Sequence, residues 1–310
     1  METVLITGGT GLIGNHLSEK LLGKGYNVTI LTRNKNSEIQ IPQYSWDPEN
    51  NLVDTDAILS ADYIIHLAGA GIGDRRWTKR RKQVIVNSRI ITGELLYNKV
   101  KETGTNLKAF ISASAIGYYG SKTSEKIYSE GDPPGNDFLA NVCINWEQIA
   151  DKFENSGIRT VKIRTGIILA KRGSALAKIM IPVKLGIGSP LGNGQQYIPW
   201  IHIEDICNIY IWAIENTKLS GSINAVAPQH ITNRDFMKLL ASILRKPFFA
   251  PAVPSQVMKL MFGEMSEILL NGSRISAGKI ISSGYAFAFP DLRNSFMNLI
   301  SSTEPEISQV

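Results

Sequence analysis

Cysteine is nearly absent from these 310 residues: Cys143 and Cys207 are the only two. That excludes a disulfide framework and fits a reducing, cytoplasmic setting. No apolar run approaches the ~20 residues of a membrane span. No basic, then apolar, leader precedes the first strand-like segment, so neither membrane insertion nor export is expected. Histidine is scarce as well, four in all, and no His/Cys/Asp/Glu set has the spacing of metal ligands, so no metal is expected. The G-x-S-x-G elbow of the serine hydrolases is missing. Charged residues make up 19% and apolar ones 43%, as in an ordinary globular chain with a sizeable core. The net charge of +6 suits anionic ligands without requiring nucleic acid.

What the sequence does have is glycine in one telling place. Thr3-Val4-Leu5-Ile6-Thr7 reads as a buried strand, and Gly8, Gly11 and Gly14 follow at G-x-x-G-x-x-G spacing before a helical segment. Gly8 permits a sharp exit from the strand, Gly11 a close approach to a pyrophosphate, and Gly14 close packing of helix on sheet. The free N–H groups of the new helix, with Thr10, Leu12 and Ile13 in its first turn, would face the phosphates. A dinucleotide site is the expectation; a glycine-rich structural turn is the bland alternative. The second strand, Asn27–Thr32, ends in Thr32-Arg33-Asn34-Lys35, with no carboxylate until Glu38. NAD binders place Asp or Glu there for the ribose 2′-hydroxyl, whereas a cation suits the 2′-phosphate of NADP. Arg33 therefore favours NADP.

Further along, Ala61–Leu67 reads as a central strand that ends in Leu67-Ala68-Gly69-Ala70-Gly71, small residues beside which a cofactor can lie. His66 is expected to be a satisfied core histidine. The basic run Arg75–Lys82 is expected to be a solvated loop and first helical turn rather than a nucleic-acid patch. In the helix that follows, Val84, Ser88, Ile91 and Leu95 fall on one face, which brings Ser88 and Arg89 near the buried side. From there Arg89 could reach a phosphate or ribose. The strand Ala109–Ser114 ends in hydroxyls and leads into a long polar loop, 115–137, of the kind that shapes active sites. A helix over 138–155 and a strand over 159–164 complete an alternating β-α order. This argues an α/β fold with a doubly wound parallel sheet. Segments 222–226 and 284–289 read as strands, 203–217 and 232–245 as helices. A glycine-rich stretch, 186–194, carries the substrate side together with Lys178 and Lys184. The polar end, 301–310, is expected to fray.

Taken together, Gly8–Gly14, Arg76-Trp77-Thr78, Ser88-Arg89, Ser112–Gly120, Phe138 through Trp146-Glu147, Trp200–Asp205, Asn224–Pro228 and Phe262–Met265 resemble the extended short-chain dehydrogenase/reductase superfamily. The resemblance is strongest to its atypical, epimerase-like branch of the 39U type, with a C-terminal domain of the DUF1731 type. It implies a Rossmann domain over 1–166 to which 199–226 returns. A small substrate-side domain would then form from 167–198 and 227–300. It implies NADP as cofactor, with Gly8, Thr10, Gly11, Leu12, Ile13, Gly14, Thr32, Arg33, Leu67, Ala68, Gly69, Arg89, Ser112 and Arg164 as cofactor residues. It leaves a homodimer open and implies a small-molecule substrate, anionic or sugar-like, without naming one. The superfamily's enzymes use Ser or Thr with Tyr-x-x-x-Lys on the helix after the fifth strand; the Tyr moves a proton and the Lys holds the ribose. Phe138–Glu147 contains neither Tyr nor Lys, and alignment on Glu147 puts Leu139 and Cys143 at the dyad. A literal Tyr118-Tyr119-Gly120-Ser121-Lys122 lies in the loop, where i, i+4 spacing does not bring side chains together. Ser114, Tyr118 and Tyr119 are thus the candidate proton carriers. Either an NADP-dependent oxidoreductase or epimerase, or a non-catalytic NADP-binding sensor or scaffold, accounts for this pattern.

Overall fold

The computed structural model describes residues 1–301. Thr3–Thr7 (β1), Leu12–Gly23 (α1), Asn27–Thr32 (β2), Gln43–Asp47 (β3), Leu52–Val53 (β4), Thr55–Leu59 (α2), Tyr63–His66 (β5), Lys79–Thr103 (α3) and Ala109–Ala115 (β6) follow in order. Ile127–Tyr128 (β7), Phe138–Asn155 (α4), Thr160–Thr165 (β8), Ile167–Leu169 (β9), Ala175–Lys184 (α5), Trp200–His202 (β10), Ile203–Glu215 (α6) and Gly221–Ala225 (β11) come next. Asn233–Ile243 (α7), Ser255–Phe262 (α8), Glu267–Leu270 (α9), Arg274–Ile275 (β12), Gly278–Ser282 (α10) and Leu292–Ser301 (α11) complete the described chain. The polar end expected to fray lies outside the described residues, except for Ser301.

The central sheet has eight strands in the order β11-β8-β6-β5-β1-β2-β3-β4, all parallel except for β4, which runs antiparallel to β3. Order reverses on either side of β1, so the chain is doubly wound and the crevice opens beyond the carboxyl ends of β1 and β5. Val4, Ile6, Ile65, Ile111 and Ile163 face α1 and α6, where Leu17, Leu21, Ile206 and Tyr210 meet them. Leu5, Ile64 and Phe110 face α3 and α4, where Leu95, Leu96 and Phe153 meet them, with Phe110 and Phe153 stacked 3.7 Å apart. Burial on both faces explains the unbroken apolar runs of these strands. The segment 199–226 divides: β11 joins the large sheet, whereas β10 pairs with β9 in a separate two-stranded sheet.

Two expectations need correction. The inner face of α3 is not Val84–Ser88–Ile91–Leu95. Val84 and Ile91 are exposed, and the buried residues are Ile85, Arg89, Thr92, Gly93, Leu95, Leu96 and Val100, so that Leu95 alone of the four is buried. They keep helical spacing, but two of them are polar, which hid the face from apolar periodicity. Residues 284–289 form no strand. Their backbone is held instead by a buried carboxylate on α6: Asp205 accepts from the Ala288 and Phe289 amides at 2.8 and 2.9 Å and from the Tyr285 hydroxyl at 2.9 Å.

Candidate cofactor and reaction site

The turn after β1 closes with the Gly11 amide donating to the Gly8 carbonyl at 3.0 Å. Gly8 has φ of +70°, the left-handed region, and a Cβ there would lie 3.0 Å from the Ala68 nitrogen. A Cβ on Gly14 would come within 2.6 Å of the Gly9 Cα. The glycine spacing is thus required by backbone, not composition. α1 then starts at Leu12 with no side chain among the described residues capping it and no acidic residue in its first turn. Thr10 and Gly11 are exposed, and Leu12 and Ile13 partly so. This leaves amide donors and a positive helix end open to an anion.

Beside the turn, Gly8, Thr10, Leu31, Thr32, Arg33, Asn34 and Trp46 line a cavity of about 210 Å³. Arg33 is exposed there and forms no ion pair among the described residues. The Thr32 hydroxyl donates to the Asn34 carbonyl at 2.9 Å, which shapes the rim. On the other side of the turn, the Ala68 amide donates to Thr7 Oγ1 at 3.2 Å, so Leu67 and Ala68 line up along β1. Gly69 and Ala70 come next, under the guanidinium of Arg89. Ser112 is not beside the turn. It is buried in the sheet opposite His66, with its hydroxyl donating to the Ala113 carbonyl.

His66 is a buried neutral histidine: its Nδ1 lies 2.8 Å from Thr7 Oγ1 and its Nε2 3.4 Å from Thr92 Oγ1. Burial, reinforced by the charge of Arg89, pushes it down to about 3. His202 caps α6, accepting from the Glu204 amide at 3.1 Å, and stacks on Phe289. In the basic run, Thr78 caps α3 and Trp77 turns inward onto Phe138 and Met265. Arg81 pairs with Asp74, and Lys82 with Glu264.

The carboxyl end of β6 holds a sealed polar network. Ser114 donates to Glu147 Oε1 at 2.7 Å; Arg164 grips the same carboxylate through Nε and Nη2, both at 2.8 Å. Arg164 Nη1 donates to the Tyr119 hydroxyl at 3.0 Å, and that hydroxyl donates to Asn224 Oδ1 at 2.7 Å. Tyr118 lies flat over the guanidinium, 3.4 Å from its carbon. Burial works against the charge on Arg164, but the bonds and charge of Glu147 outweigh it and raise its pKa. Burial also lifts Tyr119 to about 12, although Arg164 partly offsets this. Arg164, expected at the cofactor, is turned instead into this network. Lys122 is exposed and takes no part in it.

At the dyad positions, the 3₁₀ turn after β6 sits on Leu139 and Cys143: a Cβ on Gly117 would lie 3.3 Å from the Leu139 Cβ and 3.6 Å from the Cys143 sulfur. Burial, then the Glu147 charge, pushes the Cys143 thiol up to about 12, so it stays protonated. Glu147 and Asn224, both central to the network, were motif fragments without roles at the level of sequence. The signal for Glu147 was a charged residue four positions after Cys143, on the buried stripe of α4.

The model of the NAD dependent epimerase/dehydratase family matches residues 4–226, which span the whole sheet and this site. The chain belongs to that family. A second model, a domain of unknown function (DUF1731), matches residues 253–299. Within the family, the mouse epimerase family protein SDR39U1 is 33% identical over 302 residues, 96% of this chain and 99% of that protein. The Bacillus subtilis (strain 168) epimerase family protein YfhF is 33% identical over 300 residues, 96% and 98% of the two chains. The crystal structure of human SDR39U1 (isoform 2) with NADPH has a TM-score of 0.84 at 30% identity, covering 96% of this chain and 98% of that one.

Proposed function

We propose that the protein binds NADP(H) across the carboxyl ends of β1, β2 and β5 and acts as an oxidoreductase or epimerase on a small molecule. The single observation that carries the cofactor choice is the cavity at the end of β2, rimmed by Arg33 and free of any carboxylate lining. A guanidinium there pairs with a 2′-phosphate, whereas a carboxylate would repel it. The open start of α1 takes the pyrophosphate. The human relative carries NADPH, and its fold matches this chain along nearly its whole length. The bound dinucleotide supplies hydride chemistry. The chain's own part is to hold it, to exclude water and to manage a proton. Leu139 and Cys143 offer no proton near neutral pH, and the Tyr119 hydroxyl is engaged between Arg164 and Asn224. Tyr118, solvent, or Ser114 once its bond to Glu147 opens is left as the proton carrier, so turnover is slow; loss of a positioned acid or base typically costs about 10²–10⁴-fold.

Calorimetric titration tests the cofactor assignment. NADPH should bind more tightly than NADH, and Arg33→Ala should weaken NADPH by about 1.5–3 kcal/mol while NADH barely moves. Equal affinities in the parent protein would overturn it. The sealed network around Ser114 also supports a second function, a sensor or scaffold that holds NADP(H) without turnover. Tight NADPH binding with no oxidation over a broad carbonyl panel would favour that alternative.

A further inference from the structure

We infer that the face formed by the end of α5, the loop 245–254 and α8 docks on the surface of an anionic lipid bilayer. The contact is peripheral and independent of the cofactor. The chain brings these segments together itself. A Cβ on Gly186 would lie 3.7 Å from Pro247 Cγ. The Val253 amide donates to the Pro190 carbonyl at 2.8 Å, and the Gly192 amide to the Val253 carbonyl at 2.9 Å. α8 begins at Ser255, directly after this contact. Large apolar side chains on this face stand in solvent: Phe249 is 82% exposed, Leu260 79% and Leu185 72%. Ile181, one helical turn before Leu185, is exposed too, as is Ile187 just beyond. Val257, Leu260 and Met261 share one face of α8 by their i, i+3, i+4 spacing, and all three are exposed, whereas Met258 is buried. Single exposed apolar residues need no explanation, but a group of this size marks an interaction site.

Charge identifies the occupant. Residues 171–203 and 236–263, which contain these segments, hold eight Lys and Arg and no Asp or Glu. The other 25 cations of the chain are outnumbered by its 27 carboxylates, so the net positive charge of the molecule is carried by these two stretches. Elsewhere surface lysines are paired: Lys24 with Glu215, Lys126 with Asp132, Lys152 with Glu94. Lys184, Lys246 and Lys259, exposed beside the apolar group, have no carboxylate partner among the described residues. A nucleic acid would satisfy such cations and leave the aliphatic side chains in water. An anionic bilayer takes both. Leu, Ile and Phe enter the boundary between headgroups and acyl chains, while Lys and Arg stay at the phosphates. The contact is with the surface alone; among the described residues no helix is long and apolar enough to cross a membrane.

Co-sedimentation of the full chain with vesicles tests this. The parent should bind vesicles of equal parts phosphatidylcholine and phosphatidylglycerol, bind phosphatidylcholine alone far more weakly, and be released as salt rises. Phe249→Ser and Leu185→Ser should each weaken binding roughly 10-fold or more. Lys246→Gln and Lys259→Gln should each cost about fivefold. Leu59→Ser, which removes an exposed leucine from α2, should change nothing. Thermal midpoints of all five variants should match the parent, because the side chains altered are exposed. If a serine variant is unstable, the two lysine variants carry the same test. A parent that fails to bind the mixed vesicles would overturn the proposal, as would losses no larger than that of Leu59→Ser. So would binding that follows charge but ignores Phe249 and Leu185. A concentration-dependent dimer, seen by sedimentation velocity without lipid and abolished by Leu185→Ser, would give the face to a second copy of the chain and overturn the bilayer as its occupant.

Discussion

Arg89 and Arg164 are buried almost equally, 5% and 3% exposed, on the same side of the sheet, and they differ in one respect. Arg164 has its counter-ion in hand: two bonds at 2.8 Å to Glu147, with Ser114, Tyr119 and Asn224 completing the set. Among the described residues, Arg89 has only carbonyls as hydrogen-bond partners. A paired buried cation braces a fold, because removing either member strands the other. An unpaired one carries its desolvation cost with no counter-ion to offset it. The same residue type at the same depth is thus braced by a carboxylate in one place and held by carbonyls alone in the other, and the neighbours decide which.

The largest test of that contrast is Glu147→Ala. It leaves the Arg164 guanidinium buried without a counter-ion, and unfolding free energy should fall by about 3–5 kcal/mol. A loss under about 1 kcal/mol by denaturant titration would mean that Arg164 is not a brace. The next effect is read through His66, which lies beside Arg89 and is held neutral, down to about 3. Its folded pKa is below its unfolded value of 6.5, so the unfolded chain binds the extra proton. Stability is therefore full above about pH 6.5 and declines as pH falls toward 3. From pH 6.5 to 5 the loss should be roughly 1–2 kcal/mol, and His66→Asn should flatten that slope. An unchanged slope in the variant would show that His66 is not the group responsible. The smallest effect is expected of Arg89→Met in the ligand-free protein. Relief of an uncompensated buried charge offsets the lost carbonyl bonds, so stability should move by less than about 1 kcal/mol either way. A loss comparable to that of Glu147→Ala would erase the distinction.

How much of this could be read from the sequence depended on how local the determining contacts are. The phosphate turn was legible because Gly8, Gly11 and Gly14 meet each other within seven residues. The bounds of α4, Phe138–Asn155, were legible from its apolar spacing, and Asp137 caps it by accepting from the Ala140 amide at 2.9 Å. The inner face of α3 was misread because Arg89 and Thr92 occupy positions where periodicity looks for apolar side chains. α5 was not anticipated at all: Pro182 lies within it and glycines flank it, which mask a helical pattern. The Glu147 network was out of reach for a different reason. Its members come from β6, α4, β8 and β11, and nothing in the spacing of residues 114, 147, 164 and 224 announces that they meet. The fold followed from patterns that repeat every two or four residues. The network depends on which strands become neighbours, which only the completed sheet determines.

Asp205 has a consequence for how the protein is made. Its carboxylate is wholly buried, and the groups that satisfy it lie 80 or more residues later in the chain. During synthesis at ~5–20 residues per second, those partners emerge several seconds after α6 does. Until then the carboxylate lacks the donors that satisfy it in the folded chain, and burying it without them carries a cost. The native setting of the start of α6 is thus completed only by residues 285–289, so its last contacts are also among the last to be synthesised.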